Sequence, residues 1–174
     1  TYIDDMTYLD NGKEILMSSE RDGYKHFYLY DISGKLIRQI TSGNWEAEKL
    51  VGLDQKKGIL YYRSTEDSPQ ERHLYKIRLD GKSKEKLTPQ AGSHRINMSP
   101  DTKYYMDYFS SATKPLTINL FRTAKNTLTK NLASNEGLSA RASQYGFSSK
   151  EFFSFNLPDG TELYFYCLMP AYFD

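Results

Sequence analysis

The chain has 174 residues, with 23 Lys and Arg against 22 Asp and Glu, a formal net charge of +1. That balance argues against a nucleic-acid binder working by phosphate neutralisation, which needs a basic surplus on one face. A single Cys can form neither an intramolecular disulfide nor a thiolate zinc site. No apolar run approaches the roughly 18 residues of a membrane span. Aromatic residues make up 14%, 15 of them Tyr, which favours pleated β structure over disorder. The first residues, Thr1 to Asp5, read as folded sequence with no basic-then-apolar leader, so this end does not reveal the compartment.

In chain order, the first strand candidates are 6–9 and 14–18, split by the tight-turn signal Asp10-Asn11-Gly12. Residues 26–41 then read as strand, Gly34 turn and strand, with Phe27 and Leu29 alternating with Tyr28 and Tyr30 to bury one face. Strands at 46–53 and 58–63 follow, around Asp54 to Lys57. Residues 73–88 repeat the pattern of 26–41 at an offset of 47 (73 minus 26), with Gly81 in the turn and Leu87-Thr88 matching Ile40-Thr41. A third, weaker unit has strands at 94–98 and 103–109 around Ser99-Pro100-Asp101, then 115–122 and 127–132 around Ala124 to Asn126.

Each unit holds four short antiparallel strands in about 45 residues, the length and composition of a β-propeller blade. The expectation is an all-β chain, a partial β-propeller of about three four-stranded blades at 1–43, 44–90 and 91–132. A blade buries its faces only against neighbours, and three cannot close a ring of the usual four to eight, so the sequence reads as incomplete. Residues 133–149 are small and polar, a linker with one helical turn. Residues 150–156 and 161–169 form a C-terminal β-hairpin around Leu157-Pro158-Asp159-Gly160.

Four segments carry a family resemblance. Ser19-Glu20-Arg21-Asp22-Gly23-Tyr24-Lys25-His26 resembles the Ser-Glu-Arg-Asp-Gly-Tyr-x-His run of dipeptidyl peptidase IV-like propellers. Thr41-Ser42-Gly43-Asn44-Trp45-Glu46 is similar to their Thr-x-Gly-x-Trp-Glu, and Ser68-Pro69-Gln70-Glu71-Arg72-His73-Leu74-Tyr75 to their Ser-Pro-x-Glu-Arg-His-Leu-Tyr. Asn156 to Gly160, followed by Leu168-Met169-Pro170, resembles the entry strands of the hydrolase domain.

The resemblance implies the last blades of a propeller and, at 150–174, the first hairpin of an α/β-hydrolase domain. It implies a parent serine peptidase of the prolyl oligopeptidase superfamily that releases X-Pro and X-Ala dipeptides, with a peptide substrate and no cofactor. The remaining blades and the hydrolase domain would be partners in cis. This chain alone would not be an enzyme; it would scaffold and gate substrate access. Family members suggest a periplasmic, secreted or cell-surface location. The competing reading is a stand-alone propeller-like interaction module.

No residue qualifies as a catalytic, substrate-binding or metal site. Gly81-Lys82-Ser83 and Gly137-Leu138-Ser139 lack the closing Gly of a nucleophile elbow and follow no buried parallel strand, so Ser83 and Ser139 read as turn and linker serines. His26 and His73 occupy equivalent repeat positions, which suggests a structural hydrogen bond, while His94 begins a strand that could face the propeller channel but is not distinguished from a surface histidine. Asp4, Asp5 and Asp107 look isolated, and Cys167 packs as a small hydrophobe. Trp45 reads as an anchor between blades rather than a channel wall. Glu20, Arg21 and Asp22, with Glu71 and Arg72, are expected to pair across blades. Asn97-Met98-Ser99 fits the glycosylation pattern. The aromatic hairpin, with Phe152, Phe153, Phe155, Tyr164, Phe165 and Tyr166, is expected to fold back onto the blades or to drive self-association.

Overall fold

The computed structural model describes residues 5–10, 12–145 and 150–169; Asp4, Asn11 and Pro170 lie outside them. Three four-stranded antiparallel sheets follow in chain order. The first contains β1 (Met6–Tyr8), β2 (Glu14–Ser19), β3 (His26–Asp31) and β4 (Leu36–Gln39). The second contains β5 (Ala47–Asp54), β6 (Ile59–Ser64), β7 (His73–Arg78) and β8 (Glu85–Lys86). The third contains β9 (Ser93–Met98), β10 (Tyr104–Ser110), β11 (Thr117–Arg122) and β12 (Thr127–Ala133). Each strand pairs with its sequence neighbours, so every sheet is a meander. A two-stranded hairpin, β13 (Glu151–Asn156) with β14 (Glu162–Cys167), ends the described chain. The chain is a partial β-propeller.

The sequence repeat is a structural repeat down to its turns. Gly34 and Gly81, 47 positions apart, both adopt positive φ, 87° and 80°. The Gly34 amide donates to the Asp31 carbonyl at 3.0 Å and the Gly81 amide to the Arg78 carbonyl at 2.8 Å. Each turn also uses an Asp carboxylate: Asp31, at the strand end, accepts from Ser33 and Lys35, and Asp80, within the turn, from Lys82. Short Asp side chains hold such turns because their carboxylate reaches the backbone two residues on.

Two apolar clusters join the three sheets. Leu16, Phe27 and Leu29 of the first pack with Leu60, Tyr62, Tyr75 and Ile77 of the second. Tyr61, Leu74 and Leu87 of the second pack with Tyr105 of the third, backed by Ile96, Met98 and Phe121. Alternation along β6 and β7 therefore serves two cores, because the middle sheet has a neighbour on each side. Register shifts in β5 bend that strand, and at its bulge Gly52 meets Met98 of the third sheet, whose Sδ would lie 2.5 Å from an added Cβ.

Three expectations need correction here. Strand β3 buries both faces, not one: Tyr28 is 1% exposed because the Arg21 guanidinium covers its ring at 4.6 Å and its hydroxyl donates to Asp22 at 2.6 Å. Burial, then the Asp22 hydrogen bond, push the Tyr28 phenol above its ordinary range. The linker holds a nine-residue helix, α1 (Glu136–Gln144), rather than one turn. Its alanines and Leu138 are good helix formers, which the small-and-polar reading undervalued. Finally, the hairpin does not lay its aromatic surface on the blades. Its six Phe and Tyr side chains named above stay 41–60% exposed, and its strands find their packing in each other.

Candidate functional site

Loops that connect the outgoing and returning strands bring the chemistry-bearing residues to one end of the blades. Neighbouring sheets are tied there by a hydrogen bond that repeats with the sequence. The Ala47 amide donates to the Lys25 carbonyl at 2.8 Å, and the His94 amide to the Arg72 carbonyl at 2.9 Å. Both partners advance by 47, from 25 to 72 and from 47 to 94. The first seam gains a carboxylate, since Glu46 accepts the Lys25 amide at 2.8 Å. The second gains a parallel bridge between Arg72 and Ser93.

His26 and His73 begin β3 and β7 and are almost fully buried. Each reaches the end of its own blade's outer strand: His26 Nδ1 lies 3.2 Å from Thr41 Oγ1, and His73 Nδ1 lies 2.8 Å from the Thr88 carbonyl. The second nitrogens differ, with His26 Nε2 2.9 Å from the Gly43 carbonyl and His73 Nε2 2.7 Å from Glu71 Oε2.

His94 is not a surface residue, nor is Asp107 isolated. They are 2% and 4% exposed, and Nδ1 of His94 lies 3.0 and 2.8 Å from the two Asp107 oxygens. The paired register of β9 and β10 places them on one face as diagonal neighbours. A signal was present: Asp107 stands between Tyr105 and Phe109 in strict alternation, and a charge in a buried stripe requires a partner.

Trp45 fills the gap between the first two blades. Its ring meets His26 edge-on at 4.9 Å and lies parallel to Tyr62 at 6.3 Å. Gly43 exists for this indole: its φ is 138°, and an added Cβ would lie 2.1 Å from Trp45 Nε1. The expected cross-blade charge pairs form instead within blades. Arg21 and Asp22 serve Tyr28, while Arg72 joins Arg63 on Glu48 of β5, at 3.2 and 2.8 Å. Lys25, in the loop before β3, instead crosses to the second sheet, its ammonium donating to the Glu48 carbonyl at 3.2 Å.

Ser83 sits exposed in the β7–β8 turn with φ 56°, and Ser139 lies in solvent-facing α1. All three histidines have both ring nitrogens committed elsewhere, so neither serine has a histidine base. Asp67, Glu71 and His73 bring possible ligand atoms within 4.8 Å of one another. Two ligands roughly 2 Å from a tetrahedral ion stand more than about 3 Å apart. The 2.7 Å between His73 and Glu71 is a hydrogen-bond length, and Asp67 already carries Tyr75 and Lys86. Cys167 is half-buried in β14 as a free thiol, and Asn97 is exposed on β9. The Asp5 carboxylate accepts the Leu50 amide of the second blade at 3.4 Å.

Above the second seam lies an open cleft of 580 Å³. Glu71, Gly92, Ser93 and Ser110 line the blade side, and Lys150 and Phe152 bring the hairpin to its rim.

Comparison with known proteins places this architecture. Residues 2–116 match the family described as dipeptidyl peptidase IV (DPP IV) N-terminal region. The chain belongs to that family. Among dipeptidyl peptidase IV relatives, a probable dipeptidyl peptidase 4 of Arthroderma benhamiae is 30% identical over 171 residues, 94% of this chain and 21% of the relative. Dipeptidyl peptidase 4 of Trichophyton rubrum is 30% identical over 168 residues, again 21% of its length. The crystal structure of Porphyromonas gingivalis dipeptidyl peptidase 4 superposes with a TM-score of 0.87 at 34% identity, over 97% of this chain and 24% of that one. This chain therefore spans about one fifth of the dipeptidyl peptidase IV relatives it matches. The matched 2–116 contain both copies of the 47-residue repeat and the His94–Asp107 pair, whereas α1 and the hairpin lie beyond them. Among the described residues, no helix is long and apolar enough to cross a membrane.

Proposed function

We propose that this chain is propeller scaffold from a dipeptidyl peptidase IV-type serine exopeptidase that releases X-Pro and X-Ala dipeptides from peptide amino termini. The observation that carries the reading is ordered similarity along nearly the whole chain, at 30% identity to relatives bearing that name. In this reading 1–132 are blades and 133–149 connect them to 150–174, the opening hairpin of an α/β-hydrolase domain. The nucleophile, its base and the remaining blades lie outside these 174 residues. The exposed aromatic faces of β13 and β14 suit strands whose sheet is completed by a further domain in cis. The blades and the cleft rim then act on substrate access rather than on bond cleavage, and the protein works outside the cytoplasm.

The test is hydrolysis of a Gly-Pro chromogenic amide by the full-length protein that carries this chain, with fluorophosphonate labelling of its serine. Turnover and labelling are expected in the full-length protein and neither in the 174-residue chain. A full-length protein that leaves the amide intact, or labelling of Ser83 or Ser139, overturns the reading.

A further inference from the structure

His26 shows what a neutral buried imidazole looks like here. Nε2 faces the Gly43 carbonyl and must donate, whereas Nδ1 faces the Thr41 hydroxyl, which can donate to it. One ring proton satisfies both contacts. His73 and His94 face a different set. His73 has the Thr88 carbonyl at 2.8 Å on Nδ1, nearer than the Thr88 hydroxyl at 3.3 Å, and the Glu71 carboxylate at 2.7 Å on Nε2. His94 has the Asp107 carboxylate on Nδ1 and the Gln90 carbonyl at 2.8 Å on Nε2. Carbonyl and carboxylate oxygens only accept, and a neutral imidazole offers one N–H. Four acceptors therefore call for four ring protons.

We propose that His73 and His94 are both held as imidazolium ions, paired with Glu71 and Asp107, and form a proton-operated clamp across the seam between the second and third blades. The two rings lie 5.2 Å apart, one from each blade, and Phe109 covers His94 at 4.7 Å. Each positive ring has its own carboxylate, which offsets their mutual repulsion. Of the other charged groups nearby, Asp67 beside His73 holds Lys86, while Arg72 and Arg63 share the single carboxylate of Glu48 and leave one excess positive charge. The clamp acts on the cleft, because Glu71 lines it and Gln90 precedes the lining residues Ala91 to Ser93. Loss of one proton from either ring leaves an acceptor facing an acceptor at that nitrogen.

The proposal stands independently of the peptidase reading and is tested on the 174-residue chain itself. Long-range proton–nitrogen correlation on histidine-labelled chain at about pH 6.5, the ordinary histidine range, reads the protonation of every ring nitrogen. His26 is expected to show the neutral pattern with Nε2–H, and His73 and His94 to show both nitrogens protonated. Neutral rings at both His73 and His94 overturn the proposal, as does a change of the His73 signals on adding a chelator, which would put a metal where the proton belongs. As pH rises, the protection of the Arg72 and His94 amides, which donate across the seam to the Gly92 and Arg72 carbonyls, is expected to be lost after correction for intrinsic exchange. Asp107→Asn should return His94 alone to the neutral Nε2–H form; an unchanged His94 in a folded variant counts against the clamp.

Discussion

The middle blade and the C-terminal hairpin are written in the same alphabet and end in opposite conditions. Strands β6 and β7 carry Leu60, Tyr61, Tyr62, Leu74 and Tyr75, none more than 5% exposed. Strands β13 and β14 carry Phe153, Phe155 and Phe165, all at least 41% exposed. Both pairs are antiparallel, alternating and aromatic. What separates them is a neighbour on each face, so apolar content alone does not say how much a strand stabilises its fold. Burial of a side chain gains free energy only for the surface removed from water.

The largest effect that would sharpen this contrast comes from truncating one residue in each region. Leu60→Ala, in the core shared by the first two blades, should cost about 2–5 kcal/mol. Phe153→Ala should fall within about 0.5 kcal/mol, the range for exposed positions. Urea unfolding of both variants reads the difference, and equal losses would mean that the hairpin is covered in solution. That coverage would come from self-association, which sedimentation of the chain with and without 150–174 detects.

A smaller effect comes from the glycines. Gly43→Ala drives a methyl group into the Trp45 indole at a positive φ and should cost about 1–3 kcal/mol. The loss should shrink in a Trp45→Ala background, because the clash is then gone and only the backbone strain remains. Gly160→Ala in the hairpin turn meets open space at φ 86° and should show the strain alone. A Gly160→Ala loss as large as that of Gly43→Ala would break the comparison.

Smaller again is removal of the hairpin itself. Ending the chain at Ser149 should leave the unfolding of the blades unchanged within about 0.5 kcal/mol, as expected for a change that touches no buried feature of the blades. Thermal unfolding followed at the near-ultraviolet signal of Trp45 checks it.

The smallest expected effect is electrostatic. In the β9–β10 turn the Ser99 hydroxyl, then the Lys103 amide and ammonium, hold the Asp101 carboxyl at about 2, down from 3.8. A carboxyl lowered in the folded state stabilises above its ordinary value, and that contribution is lost as pH falls through about 2. Carboxyl-carbon titration should therefore show Asp101 ionising well below the ordinary aspartate value of 3.8, and Asp101→Asn should flatten this part of the acid limb.

Much of the fold was legible because its signals are local. The 47-residue repeat, the glycine turns at Gly34 and Gly81 and the alternation of strands fixed three meanders and a hairpin without any long-range contact. Trp45 was also readable as an anchor, since Trp offers large area and one N–H. The histidines were readable only in part. His26 and His73 declared themselves by equivalent positions in two copies, whereas His94 stands at the repeat position of Ala47, where no second histidine signals its buried role.

Sequence by itself thus determined the strands, their order, the turn residues and membership of a stacked β architecture, because periodicity and turn chemistry act within a few residues of chain. The tertiary structure alone decided which faces are buried, where Arg21 and Arg72 find partners, and that His94 meets Asp107 within the third blade. Those outcomes depend on the register of strands about ten or more residues apart and on the approach of one sheet to the next. The physical reason is that burial and charge pairing are properties of the surfaces that meet, and stacking creates those surfaces only after each blade has formed.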